Sequence, residues 1–164
     1  GRADGESPVF MELKKKYRSV VYKRRLTLPH ERALDCLAGA HLWPETQIGR
    51  EISYTMGFYP DLEPRVFLSY ERDSWFAPES GLRITFDDVI RFRTEELTLD
   101  SDLWGTALLE PDQVLMELKA PGAIPLWMVR LLTEMRLYKT SFSKYGTAYQ
   151  LMLEQEVKGV KRYA

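Results

Sequence analysis

Alternating charge is the feature of this sequence with the clearest chemical meaning. Because a β-strand sends successive side chains to opposite faces, a charge at every second position gives the strand one polar and one apolar face. Five candidate strands show this pattern, and their charged faces carry Glu12, Lys14, Lys16, Lys23, Arg25, Arg72, Arg83, Glu117 and Lys119. Such faces either meet water or line a common cavity, and the alternation alone leaves both possibilities open.

A cavity lined by lysine and arginine would suit a polyanion. Two cations about 6 Å apart repel by roughly 3 kcal/mol at an effective dielectric constant near 20, so water or an anion must fill the space. Arginine adds a planar, bidentate grip on phosphate oxygens. The acids Glu12 and Glu117 do not suit anion binding, but carboxylates beside phosphates commonly hold Mg²⁺ or Mn²⁺. The combination indicates metal-assisted phosphoryl transfer.

The elements that must position these charges form an α+β pattern. The predicted strands are residues 9–17, 19–27, 65–75, 81–86 and 113–119, the first two of them paired. One helix is predicted to begin at Pro29, and three others are predicted at about 45–56, 126–137 and 144–153. We therefore predict a single domain over residues 1–164, with a flexible terminus at 1–8 and helices outside the strands.

Composition narrows the function classes. The chain has 164 residues and a formal net charge of −1, which fits one globular domain and argues against broad affinity for nucleic acids. No apolar run reaches the roughly 18 residues that cross a bilayer, so we expect no membrane insertion. The single cysteine, Cys36, excludes an internal disulfide and suits a reducing compartment, so a cytoplasmic location is expected.

Other catalytic motifs are missing from the sequence. His30 and His41 have no ligand-like spacing to each other or to Cys36, so we expect ordinary surface or edge positions for both. There is no glycine-rich phosphate loop and no nucleophile elbow. Phosphoryl transfer needs neither, because positioning and charge neutralisation dominate its catalysis. The apolar stripe at 126–137 is typical of a core helix or a contact between chains.

Several blocks of the sequence together resemble the VTC (vacuolar transporter chaperone) domain family. They are VFMELKKKY at 9–17, VYKRR at 21–25, SYERDSW at 69–75, GLRITFD at 81–87, VLMELKAPG at 114–122 and SFSKYGTAY at 141–149. The blocks occur in the family's order and cover most of the chain. The resemblance implies a triphosphate tunnel metalloenzyme fold, an antiparallel β-barrel open at both ends with helices packed outside.

The resemblance also implies a reaction and a set of site residues. The implied enzyme is a phosphotransferase that moves the γ-phosphate of ATP onto a growing polyphosphate chain and releases ADP, with Mn²⁺ or Mg²⁺ as cofactor. The implied phosphate ligands are Lys14, Lys23, Arg72, Arg83 and Lys144. Glu117 is the implied metal carboxylate, and further contacts to the bound phosphate compound are expected from Arg25, Tyr70 and Ser143.

One departure from the family pattern affects this expectation. Members of the family normally have a segment upstream of the VFMELKKKY block, with an Arg-x-Arg pair that contributes to the tunnel, whereas here eight residues precede that block. We therefore expect either a fragment of the domain or a shortened relative with an incomplete barrel. Exposed strand edges in such a barrel would favour pairing between chains, so a homodimer is predicted.

Three alternatives to the polymerase remain. Hydrolysis of triphosphate or nucleoside triphosphates in the same tunnel differs only in the group that accepts the phosphate. A module that binds polyphosphate without turnover is favoured by the shortened start. Single-stranded nucleic-acid binding by a basic sheet with Tyr17, Tyr22 and Trp75 is the third, and the near-neutral net charge disfavours it.

Overall fold

The part of the chain that the structure describes folds into antiparallel sheets with four helices, and this confirms the predicted α+β class. The computed structural model describes residues 4–18, 20–39 and 43–160, the last six of them by backbone alone. The strands are β1 Pro8–Tyr17, β2 Val20–Pro29, β3 Phe67–Ala77, β4 Leu82–Arg93, β5 Thr106–Ala107 and β6 Leu115–Lys119. The helices are α1 His30–Leu37, α2 Gln47–Phe58, α3 Leu126–Glu134 and α4 Lys144–Val160.

These elements fall into two compact units. The first unit comprises residues 1–64 with 98–102, and the second comprises 65–97 with 103–164. The first contains β1, β2, α1 and α2, and the second contains the remaining strands and helices.

The first unit is built on a long hairpin. β1 and β2 pair antiparallel along their whole length, from Pro8 opposite Pro29 to Tyr17 opposite Val20. Pro29 has no N–H to continue the strand ladder, and its fixed backbone suits the residue before a helix, so α1 begins directly after it. The unit's core consists of the buried residues Val9, Leu28, Ala33 and Cys36, with Met11, Leu26 and Trp43 packed against them.

His30 corrects one expectation from the sequence. It is the first residue of α1 and is buried, whereas we expected a surface or edge position. Its backbone N–H donates to the carbonyl of Ser7, which places the start of α1 against the turn that precedes β1. His41 and Ser19 lie outside the described residues, so the expectations for them are not tested.

The second helix begins at a side-chain cap. The hydroxyl of Thr46 accepts a hydrogen bond from the N–H of Gly49 at 3.1 Å, which satisfies one of the free donors of the first helical turn. A Cβ at Gly49 would lie 2.0 Å from the carbonyl oxygen of Pro44, so only glycine fits there. The predicted helix at 45–56 is thus confirmed, with boundaries two residues later in the chain.

The second unit is organised around β4. β3 pairs along one edge of β4, while β5 and β6 pair with different parts of its other edge. The turn between β3 and β4 ends at Gly81, whose φ of +64° lies in the left-handed region that glycine occupies without strain. The sheet has four strands, and the short β5 was not predicted from the sequence.

A β-bulge interrupts the pairing of β3 and β4. Ser69 pairs with Arg91 and Glu71 with Asp88, so β4 has one more residue than β3 in this interval. Val89 within the bulge has a φ of +46°, an uncommon conformation for a β-branched residue. The extra residue changes the alternation, because the buried residues Thr85 and Asp87 before the bulge have odd numbers, whereas the buried residues Ile90 and Phe92 after it have even numbers.

The apolar helix α3 is shorter than predicted and mostly exposed. The helix predicted at 126–137 ends at Glu134, and among its residues only Met128 is buried, so it is not the core helix that its composition indicated. The described strands form one sheet of two strands and one of four, and no closed barrel is seen in either. The barrel therefore stays a prediction. Among the described residues, no helix is long and apolar enough to cross a bilayer.

Candidate functional site

A buried carboxylate and an arginine form the centre of the candidate site, in the second unit. Asp87 on β4 has no exposed side-chain surface, and it lies directly opposite Arg72 on β3. The Nε of Arg72 donates to Oδ1 of Asp87 at 2.5 Å, and Nη2 donates to Oδ2 at 2.7 Å. Bidentate, charge-assisted pairs of this kind are among the strongest hydrogen bonds in proteins, so the guanidinium plane of Arg72 is fixed.

The first residue of α4 brings a second cation to the same carboxylate. Lys144 Nζ forms an ion pair with Asp87 Oδ2, and only 18% of the lysine side chain is exposed. Ser143 caps this helix, because its Oγ accepts a hydrogen bond from the N–H of Gly146 at 3.1 Å. The cap fixes where the helix begins, and therefore also the point from which Lys144 reaches the sheet.

The ring of Tyr70 contacts both cations. The guanidinium carbon of Arg72 lies 4.9 Å from the ring centroid, and Lys144 Nζ lies 4.8 Å from it. Contacts at this distance stabilise exposed sites by about 0.5–1 kcal/mol. We refer to Tyr70, Arg72, Asp87 and Lys144 as the Asp87 cluster.

The electrostatics of the Asp87 cluster favour an anion. Burial raises the pKa of Asp87, but hydrogen bonds from Arg72 and Lys144 outweigh it and hold this pKa below the ordinary value of 3.8. The hydrogen bonds that Arg72 donates to Asp87 raise the pKa of Arg72. At neutral pH, one negative charge lies between two positive ones, and the cluster carries a net single positive charge that would attract a phosphate.

The same face of the sheet carries further charges. Arg83 and Thr85 share this face of β4 with Asp87, because the side chains of a strand alternate between its two faces. On β6, Glu117 lies opposite Thr85, and Lys119 lies opposite Arg83. Lys119 Nζ is 3.0 Å from Glu117 Oε1, and both side chains are largely exposed. Exposed cations and one exposed carboxylate thus lie beside the Asp87 cluster.

Thr85 is unusual on this face because its hydroxyl is buried without a partner. Only 6% of the residue is exposed, and Oγ1 has no hydrogen-bond partner among the described residues. A buried hydroxyl left unsatisfied destabilises a fold by about 1–3 kcal/mol. The hydroxyl lies between the positions of Ser74 and Glu117 in the sheet.

We expect a Thr85→Val protein to be more stable than the wild type. Valine has nearly the same shape and removes the unsatisfied hydroxyl, so the free energy of unfolding should rise by about 1 kcal/mol. Urea denaturation without phosphate or metal measures this change, and Thr85→Ser, which keeps the hydroxyl, is the control. A loss of stability in the valine variant would mean that the hydroxyl is hydrogen-bonded in solution.

In the first unit, the hairpin places five charged residues on one face: Glu12, Lys14, Lys16, Lys23 and Arg25. Glu12 lies opposite Arg25, and Lys14 lies opposite Lys23, as the alternation predicted. Glu12 accepts hydrogen bonds from Arg25 at 2.6 Å and from Lys23 at 2.8 Å, and the hydrogen bond from Lys23 is the main cause that lowers its pKa. Glu12 is therefore a counter-ion for these cations, while Lys14 is fully available to an anion within the described hairpin.

The residues present fit a metal only under one condition. Among the described residues, no group of three or more histidine, cysteine, aspartate or glutamate side chains could hold a metal ion. Asp87 is buried and engaged by two cations, whereas the side chain of Glu117 is 44% exposed. Mg²⁺ is often held by one or two carboxylates together with substrate phosphates. Glu117 therefore fits a metal that is bound jointly with a phosphate compound.

The structure brings several of the predicted site residues together. Tyr70, Arg72 and Lys144 lie in the Asp87 cluster, while Arg83 and Glu117 lie on the same face of the same sheet. Ser143 lies next to the cluster as the cap of α4. The remaining predicted cations share one hairpin face of the first unit: Lys14, Lys23 and Arg25. Their roles in phosphate or metal binding stay predictions.

Asp87 is the residue of this site to which we assigned no role from the sequence. A signal was present, because Asp87 stands at every-second-residue spacing from Thr85 and Arg83 and so shares their face. Of the acids on the charged faces, we interpreted Glu12 and Glu117 as candidate metal-binding carboxylates. The complete burial of Asp87, which depends on Arg72 and Lys144 from other elements, was not readable from the spacing.

Comparison with known proteins identifies the family of this chain. A search of curated proteins finds no match to the chain. The family model of the VTC domain, in contrast, matches residues 2–153, which is most of the chain. The blocks that carry the resemblance lie within that range, and they include every residue of the Asp87 cluster. The chain therefore belongs to the VTC domain family.

Proposed function

We propose that this protein is a metal-dependent polyphosphate polymerase that transfers the γ-phosphate of ATP to a growing polyphosphate chain. The observation that carries the proposal is the Asp87 cluster, in which Arg72 and Lys144 are fixed side by side on a sheet of a VTC domain. Fixed cations can stabilise the charge of a transferring phosphoryl group without reorganising during the reaction. Membership of the VTC domain family supports a function in polyphosphate chemistry.

The proposed step is an in-line displacement at phosphorus. A terminal oxygen of the growing chain forms a bond to the γ-phosphorus of ATP, and the bond from that phosphorus to the β,γ-bridging oxygen breaks. ADP leaves with the bridging oxygen, and the chain becomes one phosphate longer. Arg72 and Lys144 would bind non-bridging oxygens, and Arg83 would bind a neighbouring phosphate of the chain.

A divalent metal, Mn²⁺ or Mg²⁺, would neutralise charge on the phosphates when bound. Glu117 would hold it together with phosphate oxygens, because its side chain is exposed on the same face as Arg83. Lys119 Nζ, now 3.0 Å from Glu117, would have to turn toward phosphate or solvent as the metal binds.

The proposal extends to the first unit and to the assembly. Lys14, Lys23 and Arg25 would bind phosphates of the chain, with Ser143 and Tyr70 as further contacts in the second unit. The antiparallel β-barrel with helices outside, in complete or incomplete form, is the fold that the proposal assumes. A cytoplasmic location and a homodimer remain part of it, and a monomer mass in light scattering would contradict the dimer.

Binding and turnover measured on the same sample test the proposal. Isothermal titration calorimetry with tripolyphosphate and Mn²⁺ should show saturable binding, and a ligand present at 100 times its Kd should stabilise the protein by about 2.7 kcal/mol. ATP with Mn²⁺ should then give ADP and long polyphosphate chains on a gel. Absence of binding would contradict the proposal.

Replacing Glu117 tests the assignment of the metal. A Glu117→Gln protein should release ADP about tenfold more slowly or worse, in the range seen when groups around a metal are lost. Binding of tripolyphosphate without metal should be retained, because the cations are unchanged. Glu79→Gln is the matched control, since Glu79 is an exposed acid in the turn between β3 and β4. Equal turnover in wild type and Glu117→Gln would remove Glu117 from the metal site.

A second candidate is polyphosphate binding without turnover. The favouring observation is that no cluster of three metal-ligating side chains occurs among the described residues. Tight binding of tripolyphosphate with no ADP release under Mn²⁺ would identify this function. Release of orthophosphate without long chains would instead identify a triphosphatase, in which water accepts the phosphoryl group.

A further inference from the structure

We propose that Asp87 is a positioning residue, which holds Arg72 and Lys144 in the orientation in which they bind phosphate. The inference rests on the proposed function, because it concerns the same two cations, and it adds a residue to which that function assigned no part. Asp87 itself cannot contact a phosphate chain, since its side chain has no exposed surface and both oxygens already accept from cations.

The hydrogen bonds of Asp87 decide which donors remain for a ligand. Arg72 uses Nε and Nη2 on the carboxylate, which leaves Nη1 and the second hydrogen of Nη2. Lys144 uses one of its ammonium hydrogens and keeps two others. Because one carboxylate binds both side chains, their free donors are held close together. A phosphate group with several oxygens could then bind both cations at once.

The surroundings of Asp87 agree with a positioning role. β3 supplies Arg72 and Tyr70, α4 supplies Lys144, and β6 supplies Leu115 directly opposite on the other side of β4. The ring of Tyr70 lies within 5 Å of both cations and limits where they can move. Without the carboxylate, the two like charges would repel each other, and both long side chains would gain rotamer freedom.

The positioning role and plain electrostatics predict opposite signs for one substitution. Asp87→Asn removes a negative charge from the neighbourhood of a polyanion, which by Coulomb's law alone should strengthen tripolyphosphate binding. If Asp87 instead positions the cations, the same substitution should weaken binding, because an amide cannot accept from both Arg72 and Lys144 through two charged oxygens. The direction of the change therefore separates the two roles.

Titration of the full chain with tripolyphosphate, in the absence of metal, measures that direction. We expect the Kd of Asp87→Asn to be at least about tenfold higher than that of the wild type, which corresponds to about 1.4 kcal/mol. Asp88→Asn is the matched control, because Asp88 is the next residue of β4, is exposed, and removes the same charge. Its binding should be unchanged or slightly tighter. Binding by Asp87→Asn as tight as the wild type, or tighter, would overturn the proposal.

A second measurement keeps this proposal distinct from the proposed function. Acetylation of lysine side chains, followed by mass spectrometry, reports the accessibility of Lys144, which is 18% exposed and paired in the wild type. We expect Lys144 to react several-fold faster in Asp87→Asn, while Lys119, already 62% exposed, reacts equally in both proteins. If the wild type binds no tripolyphosphate, the proposed function fails. The labelling of Lys144 alone then decides whether Asp87 holds this side chain in place. Unchanged labelling of Lys144 would overturn it.

The wild type supplies a test if Asp87→Asn does not fold. The Nε–H of Arg72, bonded to Asp87 at 2.5 Å, should exchange slowly with solvent in nuclear magnetic resonance spectra. It should remain protected when tripolyphosphate saturates the protein, because a positioning carboxylate keeps its hydrogen bonds in the complex. Loss of that protection on binding would show that phosphate replaces Asp87, and would overturn the proposal.

Discussion

Replacing Arg72 with methionine should lower the free energy of unfolding by about 2–3 kcal/mol. Breaking a buried ion pair by removing one partner typically destabilises a protein by about 3–5 kcal/mol, because a charge stays buried without compensation. Here the loss is smaller for two reasons: Asp87 keeps its ion pair with Lys144, and the side chain of Arg72 is 35% exposed and partly screened by solvent.

Urea denaturation at neutral pH measures this loss, and Arg83→Met is its control. Arg83 lies on the same face of the same sheet but is exposed, so its replacement should change stability by no more than about 0.5 kcal/mol. Near pH 3, below the ordinary pKa of an aspartate, Asp87 becomes protonated in the unfolded chain, and the difference between Arg72→Met and the wild type should shrink. Equal stability of the two proteins at neutral pH would show that the pair contributes little to the fold.

Replacing Arg93 with methionine should destabilise the protein by about 3 kcal/mol, since each hydrogen bond to a charged group contributes about 1.5–3 kcal/mol. Arg93 ends β4, is 3% exposed, and donates to the carbonyl oxygens of Glu95, Glu96 and Trp104. Its guanidinium carbon also lies 3.6 Å from the centroid of the Phe67 ring. Methionine keeps the chain length and the apolar contact but supplies none of these donors.

The loop after β4 explains why the loss should be large. Glu96 has a φ of +47°, which is strained for a residue other than glycine, and its carbonyl accepts from Nη2 of Arg93 at 2.8 Å. Without the guanidinium, the loop loses the donors that hold this conformation. Arg91→Met is the matched control, because Arg91 lies two residues earlier on β4 and is exposed. Thermal unfolding that shifts equally in both variants would assign the effect to charge and not to the loop.

The sequence predicted most of the fold because local patterns determine most of it. Alternating residues predicted the hairpin of β1 and β2 and its charged face, since both strands are long and pair with each other. The helix starts at Gln47, Leu126 and Lys144 follow Thr46, Pro125 and Ser143, which are residue types that begin helices. The two-residue β5 has no pattern of its own and exists because it pairs with β4.

The candidate site was predicted in part, for a related reason. Arg72, Tyr70 and Lys144 were identified through the resemblance, but spacing alone could not bring α4 to β3 and β4. The carboxylate that joins them is recognisable only when its burial is known, because an exposed aspartate and a buried one look alike in a sequence. Of the two interpretations of α3, the core helix was wrong for the converse reason: its composition is apolar, yet the structure leaves most of that helix exposed. The contact between chains stays a prediction.

The bulge at Val89 has a consequence for how the length of this chain can change during evolution. Tyr70 and Arg72 share a face of β3, and Asp87, Ile90 and Phe92 lie on the same face of the sheet in β4. Asp87 and Ile90 are three residues apart because the bulge lies between them, whereas Ile90 and Phe92 have the ordinary spacing of two residues. Deletion of one residue at the bulge would restore a regular ladder and keep Ile90 and Phe92 on the face of Asp87, because their spacing from Asp87 would become that of an ordinary strand. Away from the bulge, a single-residue insertion or deletion within β4 would turn one end of the strand over and exchange its buried and exposed side chains. Among functional relatives, length changes of one residue should therefore concentrate at the bulge and at the turn at Gly81.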